Sequence, residues 1–77
     1  MLISTPLTQA INTQIGNEYA ASLQYQSIAA HFQRANLMLL AKLFFAQADE
    51  ERQHAEKLLH YVLDTKGELR IPAVREP

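Results

Sequence analysis

The stretch FFAQADEERQHAEKLLHYV, residues 44–62, decides the fold of this chain. Its apolar and small residues recur every three or four positions, which is the spacing of one face of an α-helix. The same face continues upstream to Leu37. Its members are Leu37, Ala41, Phe44, Ala48, Glu51, Ala55, Leu58 and Val62. Glu51 is the only charged member, and His54 follows it by about one turn on the same side. The stretch therefore predicts an amphipathic helix whose packing face carries one carboxylate.

A second helix with the same kind of face is predicted upstream. Its packing residues are Leu7, Ile11, Ile15, Glu18, Ser22, Tyr25, Ala29 and Phe32. Glu18 is the only charged residue of this face. Ser22 is small, and its hydroxyl can bond back to its own helix, so it fits a packing face at little cost. Each predicted helix thus has a packing face interrupted by a single glutamate.

Local signals set the ends of these helices. Thr5 is a good N-cap before Pro6 at the first helical position. Asn36 tolerates the left-handed conformation that ends a helix, and Gly67 is expected to play the same part after the second helix. A single all-α domain is therefore expected over residues 1–77, a helical hairpin folded back on itself.

The bounds follow from these signals. The first helix is expected over about 6–34, the second over about 38–65, and an extended tail over 66–77.

Composition excludes several classes of protein. The 77 residues are 48% hydrophobic and only 19% charged, which is unlike a disordered chain. A net charge of −1 gives no reason to expect nucleic acid or an anionic membrane as partner. No cysteine is present, so disulfides and thiolate metal sites are excluded. Without a targeting or membrane-spanning segment, the expected location is cytoplasmic. A chain this small normally needs a metal, a partner or very good helix packing.

The two glutamates are predicted to meet. Glu18 and His54 lie equally far from Asn36 along the chain, roughly 27 Å at ~1.5 Å per residue. Glu51 is less than one turn from that level. Two carboxylates on packing faces lose hydration, and a cation is the simplest agent that compensates them.

Each feature alone has an ordinary explanation. A single glutamate can face solvent, and Glu-x-x-His is common on helix surfaces. The combination of Glu18, Glu51 and His54 at one height favours a metal site.

The donor set indicates which metals fit. One histidine with two glutamates suits iron, manganese or zinc better than copper(I). A two-fold axis doubles this set to four glutamates and two histidines, the donors of di-iron carboxylate four-helix bundles. A symmetric pair of hairpins would also cover the faces that one hairpin leaves exposed. The sequence therefore predicts a homodimer or higher homo-oligomer.

Two motifs resemble the ferritin family. Asn17-Glu18-Tyr19-Ala20-Ala21-Ser22-Leu23-Gln24-Tyr25 is similar to the first ferritin helix, in which Tyr follows a metal-binding Glu by seven residues. Gln47-Ala48-Asp49-Glu50-Glu51-Arg52-Gln53-His54-Ala55 is similar to the second helix with its Glu-Glu-x-x-His core. Residues 60–74 resemble the turn into the long crossover of a bacterial-type ferritin. The fold that this resemblance implies is a ferritin-like four-helix bundle.

The resemblance also implies roles for individual residues. Glu18 would bind one iron, Glu51 would bridge two irons, and His54 would complete the first iron's protein ligands. Tyr25 would lie close to the oxidised iron pair, and Glu50 would be an accessory carboxylate. The implied activity is that of a ferroxidase, which oxidises Fe(II) with O2 or peroxide at a di-iron centre shared by two chains and feeds iron storage.

Haem is not expected. Haem-binding bacterioferritins have Met directly after the bridging Glu, and Arg52 occupies that position here.

Family members continue through the crossover into two more helices, and the sequence reaches Pro77 where the crossover would begin. Three explanations stay open: a half-ferritin that dimerises, a fragment of a longer chain, or a chain that needs a second polypeptide carrying the other helices. The rival function is a non-catalytic hairpin that pairs with a partner and no longer uses its ligands. A rubrerythrin-like peroxidase has no support, because no cysteine is present for a rubredoxin iron.

Overall fold

Two long antiparallel helices make up most of the chain in a computed structural model, which describes residues 2–77. Helix α1 spans Thr5–Arg34 and helix α2 spans Met38–Asp64. The described residues contain no strand, and the predicted all-α hairpin is confirmed. The hairpin measures 49 × 20 × 11 Å, so it is two helices wide and one helix thick. Both of its broad faces are therefore uncovered over most of their length.

Helix α1 begins one residue earlier than the sequence predicts. Ser4, not Thr5, is the N-cap: it has an extended backbone, and its hydroxyl oxygen accepts from the Leu7 N–H at 3.3 Å. Thr5 is the first helical residue. The prediction was wrong because either hydroxyl can cap and because Pro6 is compatible with the first or the second helical position.

Both helices end in the same motif. After α1, Asn36 takes the predicted left-handed conformation with φ 62°, and Leu37 N donates to Phe32 O at 2.9 Å. After α2, Lys66 has φ 63° and Gly67 N donates to Val62 O at 2.8 Å. These are the bonds of Schellman caps.

The left-handed residue after α2 is therefore Lys66, and the prediction for Gly67 was wrong. Gly67 has no positive φ; its role is close packing instead. A Cβ at this position would lie 2.9 Å from Ile3 Cγ2 and 3.0 Å from Val62 Cγ1. Glycine is needed there because the N-terminal segment passes directly against the end of α2.

The helices pack through buried residues spaced seven apart, most of which are small. On α1 the buried residues of this kind are Thr8, Ile15, Ser22 and Ala29. On α2 they are Ala41, Ala48, Ala55 and Val62. A seven-residue repeat keeps the same residues in contact along the whole pair when the helices coil gently around each other.

The structure corrects three expectations about the packing faces. Leu7 and Leu37 lie outside the interface and are 46% and 48% exposed, because the close contact between small residues is narrower than the predicted face. Ser22 does not bond to its own helix. Its hydroxyl crosses the interface and donates to Ala48 O at 2.8 Å.

The tail after Thr65 has no regular secondary structure and turns back along α1. Asn12 Nδ2 donates to Glu68 O at 2.9 Å. One turn later on α1, a Cβ at Gly16 would lie 2.9 Å from Pro72 Cγ. The tail therefore runs in the same direction as α1 and is held against it at two successive turns. Neither helix of residues 2–77 has a stretch both long and apolar enough to cross a lipid bilayer.

Candidate metal site

Glu18, Glu51 and His54 meet near the middle of the hairpin. His54 Nδ1 lies 3.6 Å from Glu18 Oε2 and 3.6 Å from Glu51 Oε2. One donor atom from each residue can be chosen so that all three lie within 4.8 Å of one another. Glu18 comes from α1, whereas Glu51 and His54 come from successive turns of α2. The three residues lie at similar heights along the antiparallel pair, as predicted, and therefore meet between the helices.

The site lies on one broad face of the hairpin. The side chains of Glu18 and Glu51 are only 17% exposed, and that of His54 is 52% exposed. The carboxylates are thus mostly buried between the helices, and His54 lies on the solvent side. This arrangement leaves an approach to the donor atoms from the uncovered face.

The surroundings of Glu51 favour its ionised form. A hydrogen bond with the Glu18 side chain is the main cause that lowers the pKa of Glu51, and burial partly opposes it. The Gln47 amide and His54 lower the same pKa further. Glu51 is therefore the carboxylate that this environment favours in its ionised form, which is the form that binds cations.

Two residues of this neighbourhood were missed by sequence reasoning. Gln14 Nε2 donates to Glu18 Oε1 at 3.1 Å, and Gln47 Nε2 donates to Glu51 Oε1 at 3.1 Å. Each glutamine precedes its glutamate by four residues, a spacing that places both side chains on one side of a helix. That repeated spacing was the available signal.

Tyr25 and Glu50 lie outside the group of three. Tyr25 is half-buried, with its ring centroid 6.0 Å from that of Phe44. It lines a cavity of about 440 Å³ together with Phe44 and Gln47, so it approaches the site through Gln47. Glu50 is exposed and is not part of the three-residue cluster found within residues 2–77.

The donor chemistry of the cluster is that of a cation site. It supplies two carboxylates and one imidazole, and the histidine presents the same nitrogen, Nδ1, to both carboxylates. Two donor atoms that bind one metal with bonds of about 2.0–2.2 Å lie nearly as far apart as His54 Nδ1 lies from each of the two carboxylates. Three protein donors leave further coordination positions open on iron or manganese.

The sequence is similar to those of known proteins. The family model described as "Ferritin-like domain" matches residues 8–77. The chain is 46% identical over 72 residues to Ferritin BfrB of Mycolicibacterium smegmatis, covering 94% of this chain and 40% of that protein. It is also 46% identical over 70 residues to the chloroplastic Ferritin-2 of Zea mays, covering 88% and 28% respectively.

A third relative is Bacterioferritin BfrB of Mycobacterium tuberculosis, 46% identical over 61 residues that cover 79% of this chain and 34% of that protein. The chain thus spans two fifths or less of the length of these relatives. Because the family model matches residues 8–77, nearly all of the chain, this chain belongs to the ferritin-like domain family.

Proposed function

We propose that this chain binds Fe(II) as a substrate at Glu18, Glu51 and His54, and that two copies together form a di-iron centre that oxidises it. The observation that carries the proposal is the convergence of these three side chains, within 4.8 Å, on one uncovered face. Membership of the ferritin-like family supports iron as the metal. Glu18 serves one iron, Glu51 bridges the pair, and His54 completes the protein ligands of the first iron.

The exposed surface of the hairpin supports a second copy as its partner. A compact monomer of 8.7 kDa has about 4,700 Å² of accessible surface. This chain exposes 5661 Å², an excess of about 900 Å², and stable interfaces bury about 800 Å² on each partner. The site face carries half-buried aromatic residues, Tyr25, Phe32 and Phe44, whose rings lie 5.4–6.0 Å apart. Covering that face removes the excess.

A two-fold axis also completes the donor set. One hairpin offers two glutamates and one histidine, and two hairpins offer the four glutamates and two histidines of a di-iron bundle. Because the axis passes through the site face, the second copy covers the apolar residues and supplies the missing donors in the same step. This is the simplest assembly that satisfies both deficits.

The proposed reaction transfers one electron from each of two Fe(II) ions. With O2 as oxidant, two Fe(II), one O2 and two protons give two Fe(III) and one H2O2. The carboxylates hold the irons and favour the more highly charged product. Tyr25 borders the site from the aromatic side, and Glu50 is an accessory carboxylate on the solvent side. Further assembly of the bundles into a higher homo-oligomer would allow the Fe(III) product to be stored.

We propose iron without haem. Arg52 follows Glu51, and its guanidinium is held by Asp49 at 3.6 Å and Glu56 at 2.7 Å along the surface of α2. A charged, paired side chain at this position offers no thioether to an iron porphyrin.

The test is an anaerobic Fe(II) titration of the 77-residue chain, with the mass in solution measured on the same sample. One iron per chain on a dimer is expected, followed by O2-dependent oxidation with one H2O2 for two irons. Glu51→Gln should abolish stoichiometric binding. Glu56→Gln removes the same charge from the same helix outside the cluster and should bind iron as the unmodified chain does.

A stable oligomer without stoichiometric binding would overturn the proposal. That result would favour the non-catalytic hairpin. If the chain were monomeric and bound iron only after a second polypeptide was added, the site assignment would stand. The partner would then be a different chain and not a second copy.

A further inference from the structure

The metal-site carboxylates are each held by a glutamine of their own helix. Gln14 Nε2 lies 3.1 Å from Glu18 Oε1 on α1, and Gln47 Nε2 lies 3.1 Å from Glu51 Oε1 on α2. The two helices thus repeat the same pair, an amide donor four residues before a carboxylate acceptor. The repeat occurs at the two positions that face each other across the site.

The glutamine amides make the two oxygens of each carboxylate inequivalent. Oε1 accepts the glutamine N–H in both pairs, whereas Oε2 of both glutamates lies 3.6 Å from His54 Nδ1. One oxygen of each carboxylate is therefore occupied by a hydrogen bond, and the other points toward the centre of the cluster. Freely rotating carboxylates would not present the same atoms to one point.

The glutamines are themselves oriented. Asn17 Nδ2 donates to Gln14 Oε1 at 3.3 Å, so the amide of Gln14 must direct its N–H groups elsewhere, and Glu18 receives one. Gln47 is half-buried and lines the cavity that Tyr25 and Phe44 also line. Packing limits its rotation, and Glu51 is the acceptor within its reach.

We propose that Gln14 and Gln47 are positioning residues, which fix Oε1 of Glu18 and Glu51 by hydrogen bonds so that Oε2 of each is the atom offered to the metal. The inference rests on the metal-binding function proposed above. The hydrogen bond from the glutamine amide to the charged carboxylate restrains the carboxylate rotamer before the metal binds. Less conformational entropy is therefore lost on metal binding. The hydrogen bond also favours coordination of each glutamate through Oε2, because Oε1 already accepts a hydrogen bond, so Glu51 would bridge two irons through this one oxygen.

The experiment compares Gln14→Met and Gln47→Met with the unmodified chain by Co(II) titration. Methionine keeps the length of glutamine and removes the N–H donor. Each variant is expected to bind Co(II) about 10- to 100-fold more weakly, the usual effect of removing a residue that orients a metal ligand. The visible absorption of bound Co(II) should also change, since it reports the number and arrangement of donor oxygens.

Two further variants keep the test independent of folding. Gln14→Leu removes the N–H donor on the exposed turn of α1 without adding charge, so it should weaken binding about as much as Gln14→Met. Gln33→Met, made in the last turn of α1, carries the same chemical change far from the site and should leave the affinity and spectrum unaltered. Circular dichroism and solution mass should stay unchanged in all four.

The outcomes separate this inference from the proposed function. An unmodified chain that binds no Co(II) or Fe(II) overturns both. An unmodified chain that binds stoichiometrically, with Gln14→Met and Gln47→Met matching its affinity and spectrum, overturns only the positioning role. Weaker binding in Gln33→Met of the same size as in the two site variants would also overturn it.

Discussion

The Ser22 hydroxyl donates a buried hydrogen bond, 2.8 Å long, to the carbonyl oxygen of Ala48 on the opposite helix. Ser22 lies one turn after Glu18, and Ala48 lies about one turn before Glu51. The bond therefore joins the two helices directly beside the candidate site. Because a slip of one helix by one turn, about 5.4 Å, would break it, this contact fixes the relative heights of the two glutamates.

Ser22→Ala should lower the free energy of unfolding by about 0.5–1.5 kcal/mol, the net value of a typical hydrogen bond. The loss is no larger because the Ala48 carbonyl lies inside a helix and keeps a backbone partner there. Thermal unfolding at a fixed protein concentration measures the change. Ser27→Ala, on the exposed side of α1, is the matched control. Equal stability of the two variants would mean that the crossing bond contributes nothing.

The lowered pKa of Glu51 makes the metal-free protein sensitive to acid. The folded state favours the ionised carboxylate, so the unfolded chain binds more protons between the two pKa values. The stabilisation is fully present above the ordinary value of 4.5 and is lost as the pH falls through the lowered folded value. We expect Glu51→Gln to be less stable than the unmodified chain at pH 6 and to approach it as the pH is taken below 4.5 in the presence of a chelator.

The control for this pH series is Glu50→Gln, which removes a neighbouring charge outside the cluster. A stability difference between the Glu51→Gln variant and the unmodified chain that stays constant from pH 6 to pH 3 would contradict the assignment.

Lys66→Gly should raise the stability by about 0.5–1 kcal/mol. Lys66 has φ 63°, and a residue with a side chain is strained by about 1–2 kcal/mol in this conformation. Glycine avoids this strain, but part of the gain is lost because glycine has a larger conformational entropy in the unfolded chain. Lys57→Gly, in the middle of α2, should destabilise by about 1 kcal/mol. Chemical denaturation measures both changes. A gain of stability in Lys66→Gly with a loss in Lys57→Gly would verify the cap, whereas a loss of stability in both variants would contradict it.

Gly16→Ala should release the tail without unfolding the helices. The new Cβ would lie 2.9 Å from Pro72 Cγ, so the proline must move away, whereas alanine favours the helix over glycine by about 1 kcal/mol. We expect faster tryptic cleavage after Arg70 and Arg75 with an unchanged or higher unfolding temperature. Ser27→Ala, on an exposed part of the same helix, should not alter the cleavage rate. Unaltered cleavage in the Gly16 variant would show that Pro72 does not depend on Gly16.

Much of this architecture follows from local patterns. The spacing of apolar residues predicts both helices, and Asn36 takes the left-handed turn expected of it. The convergence of Glu18, Glu51 and His54 needs only the helical rise and the position of that turn. These features depend on distances along the chain, which a sequence contains.

Apart from the local choice between Ser4 and Thr5 as N-cap, the errors have a different cause, because each depends on what approaches from another part of the chain. Gly67 is packed against Ile3, where a Cβ would not fit, and the left-handed residue is Lys66. Ser22 bonds to Ala48 because the small interface brings that carbonyl near. The same close approach leaves Leu7 and Leu37 outside the contact. Helical periodicity contains no information about these neighbours.

Ala41, Ala48 and Ala55 form most of the α2 side of the interhelical contact. Where an ordinary helix pair would bury leucines, this pair buries methyl groups, and each such exchange forgoes about 2–3 kcal/mol of hydrophobic free energy. The larger side chains, among them Phe44 and Leu40, lie on faces that the hairpin does not cover by itself. In the proposed dimer, folding of the helices and association of the chains are therefore one equilibrium, so dilution should promote unfolding.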